Sequence, residues 1–297
     1  MGISCSTPES VTIRLIADKP VRKTPYQVKG VFMKQYSEEK IVPFLDGKLR
    51  NKYLYPRVQV KIINEQIYIV GIREGVEPVV SLINNVKTLN FGNITINIDK
   101  YETEENIDQF KPIKKLLKYK FITPWIALNS GTGGKYRLLS NQKKSLFLNK
   151  LLGQNLLFIA KEMGEEIKTK IYTKVIVDNN TPEKMDDNGW SALTGEFKTN
   201  FILPNYIGLG NGITRGYGTL FSFNNPDVLI EENSKEKIDD YPEEEINEED
   251  ELMTFVTIDD YPIINKRKRH KKRNNGFKRK KKDKNNKSLN FKYGKQT

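Results

Sequence analysis

Apolar and polar residues alternate through VTIRLIA (residues 11–17), the period-two pattern of a strand with one buried face. Residues 35–50 are mixed and predict a short helix from Ser37 that Pro43 interrupts. The clearest signal is YPRVQVKIINEQIYIVGI (55–72), where two β-branched runs flank Asn64-Glu65 and predict a β-hairpin. After it, Pro78 suits a first helical turn. Val79, Leu82, Ile83 and Val86 then recur at i, i+3, i+4 and i+7, one helical face. TLNF and NITINI, within 88–98, read as closing strands. The order β-α-β-β-α-β predicts a ferredoxin-like unit over residues 11–100.

Residues 101–118 are charged and lack a period, which predicts a linker. A second unit over 119–226 opens with KFITPWIAL (120–128), read as a strand. Its long helix spans 143–163: apolar positions 147, 148, 151, 152, 156, 159, 160 and 163 keep one broad face, and Gly164 is placed to cap it. KTKIYTKVIVD, ALTGEFKTNFIL and YGTLFSF follow as strands. With one strong helix, this unit reads as a modified ferredoxin-like domain. Beyond it, residues 227–297 are acidic, then basic, with few apolar positions, the composition of disorder. The expected class is α+β, with tandem ferredoxin-like (RRM-like) domains and a disordered charged C-terminal tail.

Charge changes the picture more than composition does. Residues 266–297 carry sixteen Lys/Arg against the single acid Asp283, and residues 231–260 carry fourteen Asp/Glu against Lys235 and Lys237. The chain's formal charge is +13, so residues 1–230 are themselves basic by ten charges. A basic body with a basic tail points to a polyanionic partner, most often nucleic acid. KRKRHKKR and KRKKKDK in the tail are expected to add nonspecific affinity for RNA. One cysteine, Cys5, fits a reducing, cytoplasmic setting. No apolar run reaches the roughly twenty residues a membrane span needs. MGISCS matches the formal pattern for N-myristoylation, read here as coincidence because the rest of the chain lacks membrane character. The one histidine, His270, lies in the basic tail, which excludes a histidine-based metal site or triad in the expected folded body. No cofactor and no metal are expected.

NYIGLGNGITRGYGTL (205–220) holds five glycines and one arginine. It does not space them as G-x-G-x-x-G, and a strand pattern rather than a helix follows. It also lacks the Gly-Lys-Ser/Thr ending of a triphosphate loop. Two readings remain: a flexible hairpin connection, or a loop of bare backbone whose amides approach phosphate, with Arg215 as a bidentate donor.

Several stretches carry a resemblance: KGVFM (29–33), YPRVQVKIINEQIYIVGIREGVE (55–77), FITPWIALN (121–129), LNKLLGQNLLFIAKEMG (148–164) and FKTNFILPNYIGLGNGITRGYGTL (197–220). Over about residues 11–223 the chain resembles the CRISPR-associated pre-crRNA-processing endoribonucleases of the RAMP superfamily. The resemblance implies an RNA-facing glycine loop, in which Gly208, Gly210, Gly212, Gly216 and Gly218 give close approach and Arg215 a phosphate contact. It implies CRISPR repeat RNA as partner, a CRISPR effector complex as a further one, and metal-independent attack of a ribose 2′-hydroxyl on the adjacent phosphate. The family's histidines would fall near Val42 and Phe44, and neither residue moves a proton. Lys48, Lys52 and Tyr53 are the nearby candidates for catalysis, and Lys29 and Arg50 for RNA contact. The alternative is a catalytically inactive RNA-binding relative. Thr123-Pro124-Trp125 is expected to pack, and Tyr136 with Arg137 either to clamp a base or to sit in an ordinary loop.

Overall fold

The structure, a computed structural model, describes residues 8–185, 190–223 and 252–261. Its first half runs β1 (Ser10–Ala17), α1 (Pro25–Gln35), α2 (Val42–Leu45), β2 (Val58–Ile63), β3 (Gln66–Ile72), α3 (Val76–Ile83), β4 (Thr88–Asn90) and β5 (Thr95–Asn106). The strands form one antiparallel sheet in the order β2-β3-β1-β5-β4, with Ile13 of β1 paired to Ile69 on one side and Thr103 on the other. This is the ferredoxin-like order with β4 added at an edge. Val11, Ile13 and Leu15 point with Val60, Ile67 and Ile69 into a core closed by Val28 and Phe32 of α1 and by Val79 and Leu82 of α3.

The first helix is not the one expected. Thr24 accepts from the Gln27 amide while the Gln27 side chain accepts from the Thr24 amide, and Pro25 occupies the first turn. This capping box starts α1 at residue 25. Pro43 lies in the first turn of α2, so it begins that short helix rather than interrupting one.

The second half runs β6 (Pro112–Phe121), α4 (Gly133–Arg137), α5 (Asn141–Met163), β7 (Ile171–Val177), β8 (Glu183–Lys184), β9 (Ser191–Ala192), β10 (Gly195–Phe201), β11 (Leu220–Ser222) and β12 (Thr254–Val256). The main sheet has the order β11-β6-β10-β7-β12, and β8 pairs with β9. Its first four strands repeat the ferredoxin-like order. α5 covers one face, and Gly164 ends it at φ 79°. Where a second helix would return the chain to β11, the glycine loop does so instead.

Three expectations need correction. Residues 101–118 are mostly strand: they supply the end of β5 and the body of β6. Their charges hid the pattern because one face is open to water, where Arg14 pairs with Glu102 at 3.1 Å. KFITPWIAL is strand only to Phe121, since Pro124 cannot donate to a ladder and Trp125 makes a single bridge to Leu193. Within the charged C-terminal region, residues 252–261 are ordered. β12 pairs with β7, Val256 is buried against Gly153 of α5, and Asn149 donates to the Leu252 carbonyl at 2.8 Å. The rest of the expected tail lies outside the described residues. Among those described, no helix is long and apolar enough to cross a membrane.

Candidate active-site cleft

The glycine loop does not hang free. It is laid across β2 and α1 of the first half. Tyr55 donates its hydroxyl to the Gly208 carbonyl at 2.9 Å, and the Gly208 amide donates to Gln59 Oε1 at 2.9 Å. Lys61 Nζ reaches the Ile213 carbonyl at 3.4 Å, and Lys29 Nζ donates to the Thr214 carbonyl. Behind the loop, Asn211 donates twice to the Ile126 carbonyl, and the Gly218 amide donates to the Pro124 carbonyl at 2.8 Å. Every one of these residues comes from a stretch that carried the resemblance or from the loop itself.

The docking leaves a cavity of about 470 Å³ between two walls. One wall is the segment from Phe44 to Val58, and the other is Gly210 to Thr214, with Lys29 between them. Its polar groups are Lys29, Asp46, Arg50, Tyr53, Arg57, Asn211 and Thr214. The expected histidine segment and the glycine loop are therefore brought face to face. Phe44 stacks on Tyr53 with ring centroids 6.0 Å apart, and the Arg57 guanidinium covers Tyr53 at 4.9 Å. Arg57 is itself fixed, donating to Glu74 at 2.7 Å and to the Glu162 carbonyl.

The sequence-predicted residues divide. Lys29, Arg50, Tyr53, Gly210 and Gly212 line the cavity. Lys48 and Lys52 sit outside its lining on the same segment. Lys48 pairs with Asp46 at 3.1 Å, and Lys52 lies over the Tyr53 ring at 4.9 Å. Arg215 is exposed and stacks on Trp190 at 4.6 Å. Gly216 packs beside Pro25 of α1. Gly208 and Gly218 are buried, so they shape the loop from within and present no surface to a ligand. A Cβ on Gly218 would stand 2.1 Å from the Leu209 carbonyl oxygen, at φ 64°. Tyr136 is buried in α4 with its hydroxyl donating to the Asn180 carbonyl, so it is core and not a base clamp. Trp125 packs as expected, stacked on Phe121 at 4.9 Å.

Sequence reasoning missed Asp46, Arg57 and Lys61. Arg57 stands inside the quoted YPR stretch, but nothing marked it as cavity-facing. Lys61 is hidden in a strand pattern as one more alternating polar residue, although it is completely buried.

Electrostatics single out two lysines. Burial, with the Lys29 charge added, pulls the Lys61 ammonium down to about 7. Burial, then Arg215, lowers Lys29. Lys52 is shifted the other way, raised by its hydrogen bond to Tyr53. Among the described residues no three His, Cys, Asp or Glu side chains are grouped to hold a metal ion. The cleft can thus offer cations to an oligoanion, and aromatic and amide groups to a base.

Two family models match in succession, the Cas6b N-terminal domain over residues 9–109 and the Cas6b C-terminal domain over 111–223. A crystal structure of Cas6b superposes with a TM-score of 0.61 at 29% identity, covering 72% of this chain and 99% of that one. A structure titled CRISPR RNA processing endoribonuclease Cas6b superposes at 0.52 and 25% identity, with the same coverage. The uncharacterized protein MJ0978 of Methanocaldococcus jannaschii is 29% identical over 139 residues, 47% of this chain and 95% of that protein. With the two domain matches together running through both ferredoxin-like halves, the chain belongs to the Cas6b family.

Proposed function

We propose that this protein binds CRISPR repeat RNA in the cleft and cuts it once per repeat without a metal. The observation that carries the reading is the joining of the Phe44–Val58 wall to the glycine loop around Lys29, Arg50, Arg57 and Tyr53. The relative titled as a CRISPR RNA processing endoribonuclease supports the activity.

In this reaction the 2′-oxygen upstream of the scissile phosphate attacks phosphorus and the bond to the 5′-oxygen breaks. The products are a 2′,3′-cyclic phosphate and a 5′-hydroxyl. A proton must leave the 2′-hydroxyl, another must reach the departing oxygen, and negative charge gathers on the phosphorane. Lys29, with its lowered pKa, is the best-placed group to take part in proton transfer. Arg50 stabilises the phosphorane, and Tyr53, held between Phe44 and the buried, internally paired Arg57, orients the nucleotide. Lys48 and Lys52 act from the rim as cations on exposed stems, and Arg215 holds a flanking phosphate. An effector complex is a further partner of the same reading.

The second reading, an RNA-binding relative without catalysis, is favoured by one observation: among the described residues, no imidazole lines the cleft. Single-turnover incubation of the cognate repeat with excess protein in EDTA separates the two. The enzyme reading expects a cyclic-phosphate product that vanishes when the 2′-hydroxyl upstream of the cut is removed. Tight, specific binding with no product over many hours would leave only the binding protein.

A further inference from the structure

The last turn of α5 reaches from the second half to the cleft wall of the first. One carboxylate oxygen of Glu162, Oε2, accepts from the Leu54 amide at 3.0 Å and from the Tyr55 amide at 3.1 Å. Its backbone carbonyl accepts from Arg57 at 2.6 Å, and the same guanidinium stands 4.0 Å from Oε2. Three residues of the wall thus converge on one residue 105 to 108 positions further along the chain.

Both partners of this contact have local reasons to need it. Residues 54–57 lie in neither helix nor strand, so the Leu54 and Tyr55 amides have no regular ladder to join. Glu162 supplies an acceptor to both. Its own place is otherwise unfavourable: the last turn is the negative end of the helix dipole, which suits the neighbouring Lys161 and disfavours a carboxylate. With its side chain only 18% exposed, Glu162 is committed to these partners rather than to water.

What Glu162 holds is the immediate surround of Tyr53. Leu54 and Tyr55 follow Tyr53 directly in the chain, and Arg57 covers its ring. Tyr53, Leu54 and Arg57 line the cavity, whereas Glu162 does not. We propose that Glu162 is a positioning residue for the cleft: from the second half it sets the backbone after Tyr53 and so aims that ring at the nucleotide. The consequence for RNA rests on the cleft reading; the anchoring itself rests on geometry alone. The second half then shapes both walls, building one from the glycine loop and bracing the other from α5. Glu165 offers a matched control. It too joins the end of α5 to the first half, pairing with Arg73 at 2.6 Å, but Arg73 does not line the cavity.

The full chain carrying Glu162→Leu, Glu162→Gln or Glu165→Leu tests this, with thermal melts to confirm folding. Hydrogen exchange of the peptide spanning Leu54 and Tyr55 is expected to quicken severalfold in Glu162→Leu. It should recover in large part in Glu162→Gln, whose amide oxygen still accepts, and stay at the wild-type rate in Glu165→Leu. In single-turnover cleavage of the repeat with excess protein, Glu162→Leu should be slower by about ten- to a hundredfold, with a smaller loss of RNA affinity. Added to Tyr53→Ala it should cost little more, because it acts through Tyr53. Additive losses in that pair, unchanged exchange in Glu162→Leu, or equal rate losses in Glu162→Leu and Glu165→Leu would each overturn the proposal. Should Glu162→Leu not fold, Glu162→Gln decides: exchange at that peptide must still exceed wild type, and equality would overturn the proposal. A wild-type chain that neither binds nor cuts the repeat, with the exchange difference intact, would instead count against the cleft reading alone.

Discussion

The hydroxyl of Tyr55 donates to the Gly208 carbonyl at 2.9 Å and is wholly buried, tying the wall of the first half to the loop of the second. Burial raises the Tyr55 pKa far above the ordinary tyrosine range, so the donor persists at any working pH. Tyr55→Phe keeps the ring and leaves that carbonyl without its donor, which should cost about 1–3 kcal/mol in urea unfolding. The same change should weaken repeat-RNA binding, because the loop wall loses its anchor. An unaltered unfolding midpoint would show that this hydrogen bond contributes nothing to holding the two halves together.

Glycines inside and outside the loop should differ sharply in tolerance. Gly218 has φ 64° and a carbonyl 2.1 Å from where a Cβ would stand, so Gly218→Ala must move backbone and should lower the melting temperature clearly. Gly134, in α4 with nothing within 4 Å, should accept alanine with no loss. Gly210→Ala would press on Trp125 and the Ile126 carbonyl, so its effect on RNA binding must be read together with thermal melts. Equal melts for all three variants would remove the packing account of the loop.

Lys61 should make stability depend on pH. Its ammonium titrates at about 7 in the folded chain and near 10.4 when unfolded. Between those values the unfolded chain holds a proton that the folded chain has released, so this group's contribution to stability rises with pH across that window. Below about 7 both states are protonated and the cost of burial is constant. Lys61→Met should flatten the slope and stabilise the protein at neutral pH. Urea midpoints measured between neutral and mildly alkaline pH, compared between wild type and variant, check it; identical slopes would place the charge in water.

A chain ending near residue 230 loses β12. Val256 is buried against Gly153, and Lys150 pairs with Asp260 at 2.9 Å, so this truncation should cost stability that a chain ending after Tyr261 retains. Burying one valine is worth about 1.5–3 kcal/mol. Melting the two truncations side by side decides it, and coincident curves would reduce β12 to an ornament on the edge.

Much of this fold was legible where periodicity was clean. The hairpin at 58–72, the α3 face of Val79, Leu82 and Ile83, and the α5 stripe ending at Gly164 all follow from apolar spacing. α1 was overlooked because its buried residues are few, Val28 and Phe32, while its start signal Thr24-Pro25 with Gln27 is a cap rather than a stripe. β5 and β6 were masked by charges on their open faces, and β12 by the acidic run before it. At the site, the two walls were readable as separate stretches. Their meeting was not, since it depends on Tyr55, Gln59 and Lys61 docking a loop some 150 residues away.

The last expectation concerns which cation acts in the reaction. Lys29 stands between the cavity walls with its pKa lowered by burial and by Arg215, whereas Lys52 is raised by Tyr53 and Lys48 is paired with Asp46 at the rim. A lysine that loses its proton more easily is the better proton acceptor near neutral pH, and loss of proton transfer alone costs roughly 10²–10⁴-fold. Lys29→Ala should therefore slow single-turnover cleavage far more than it weakens binding. Lys48→Ala and Lys52→Ala, which remove cations of the rim, should weaken RNA binding modestly and slow cleavage far less than Lys29→Ala. Tyr53→Phe should keep the stack on Phe44 and Arg57 and change the rate only as far as the hydroxyl takes part. In wild type the rate should rise with pH while Lys29 releases its proton, and Lys29→Arg should lose that rise while keeping affinity. If Lys29→Arg cleaved at the wild-type rate with the same pH profile, Lys29 would be a phosphate ligand and the proton would have to leave by another route.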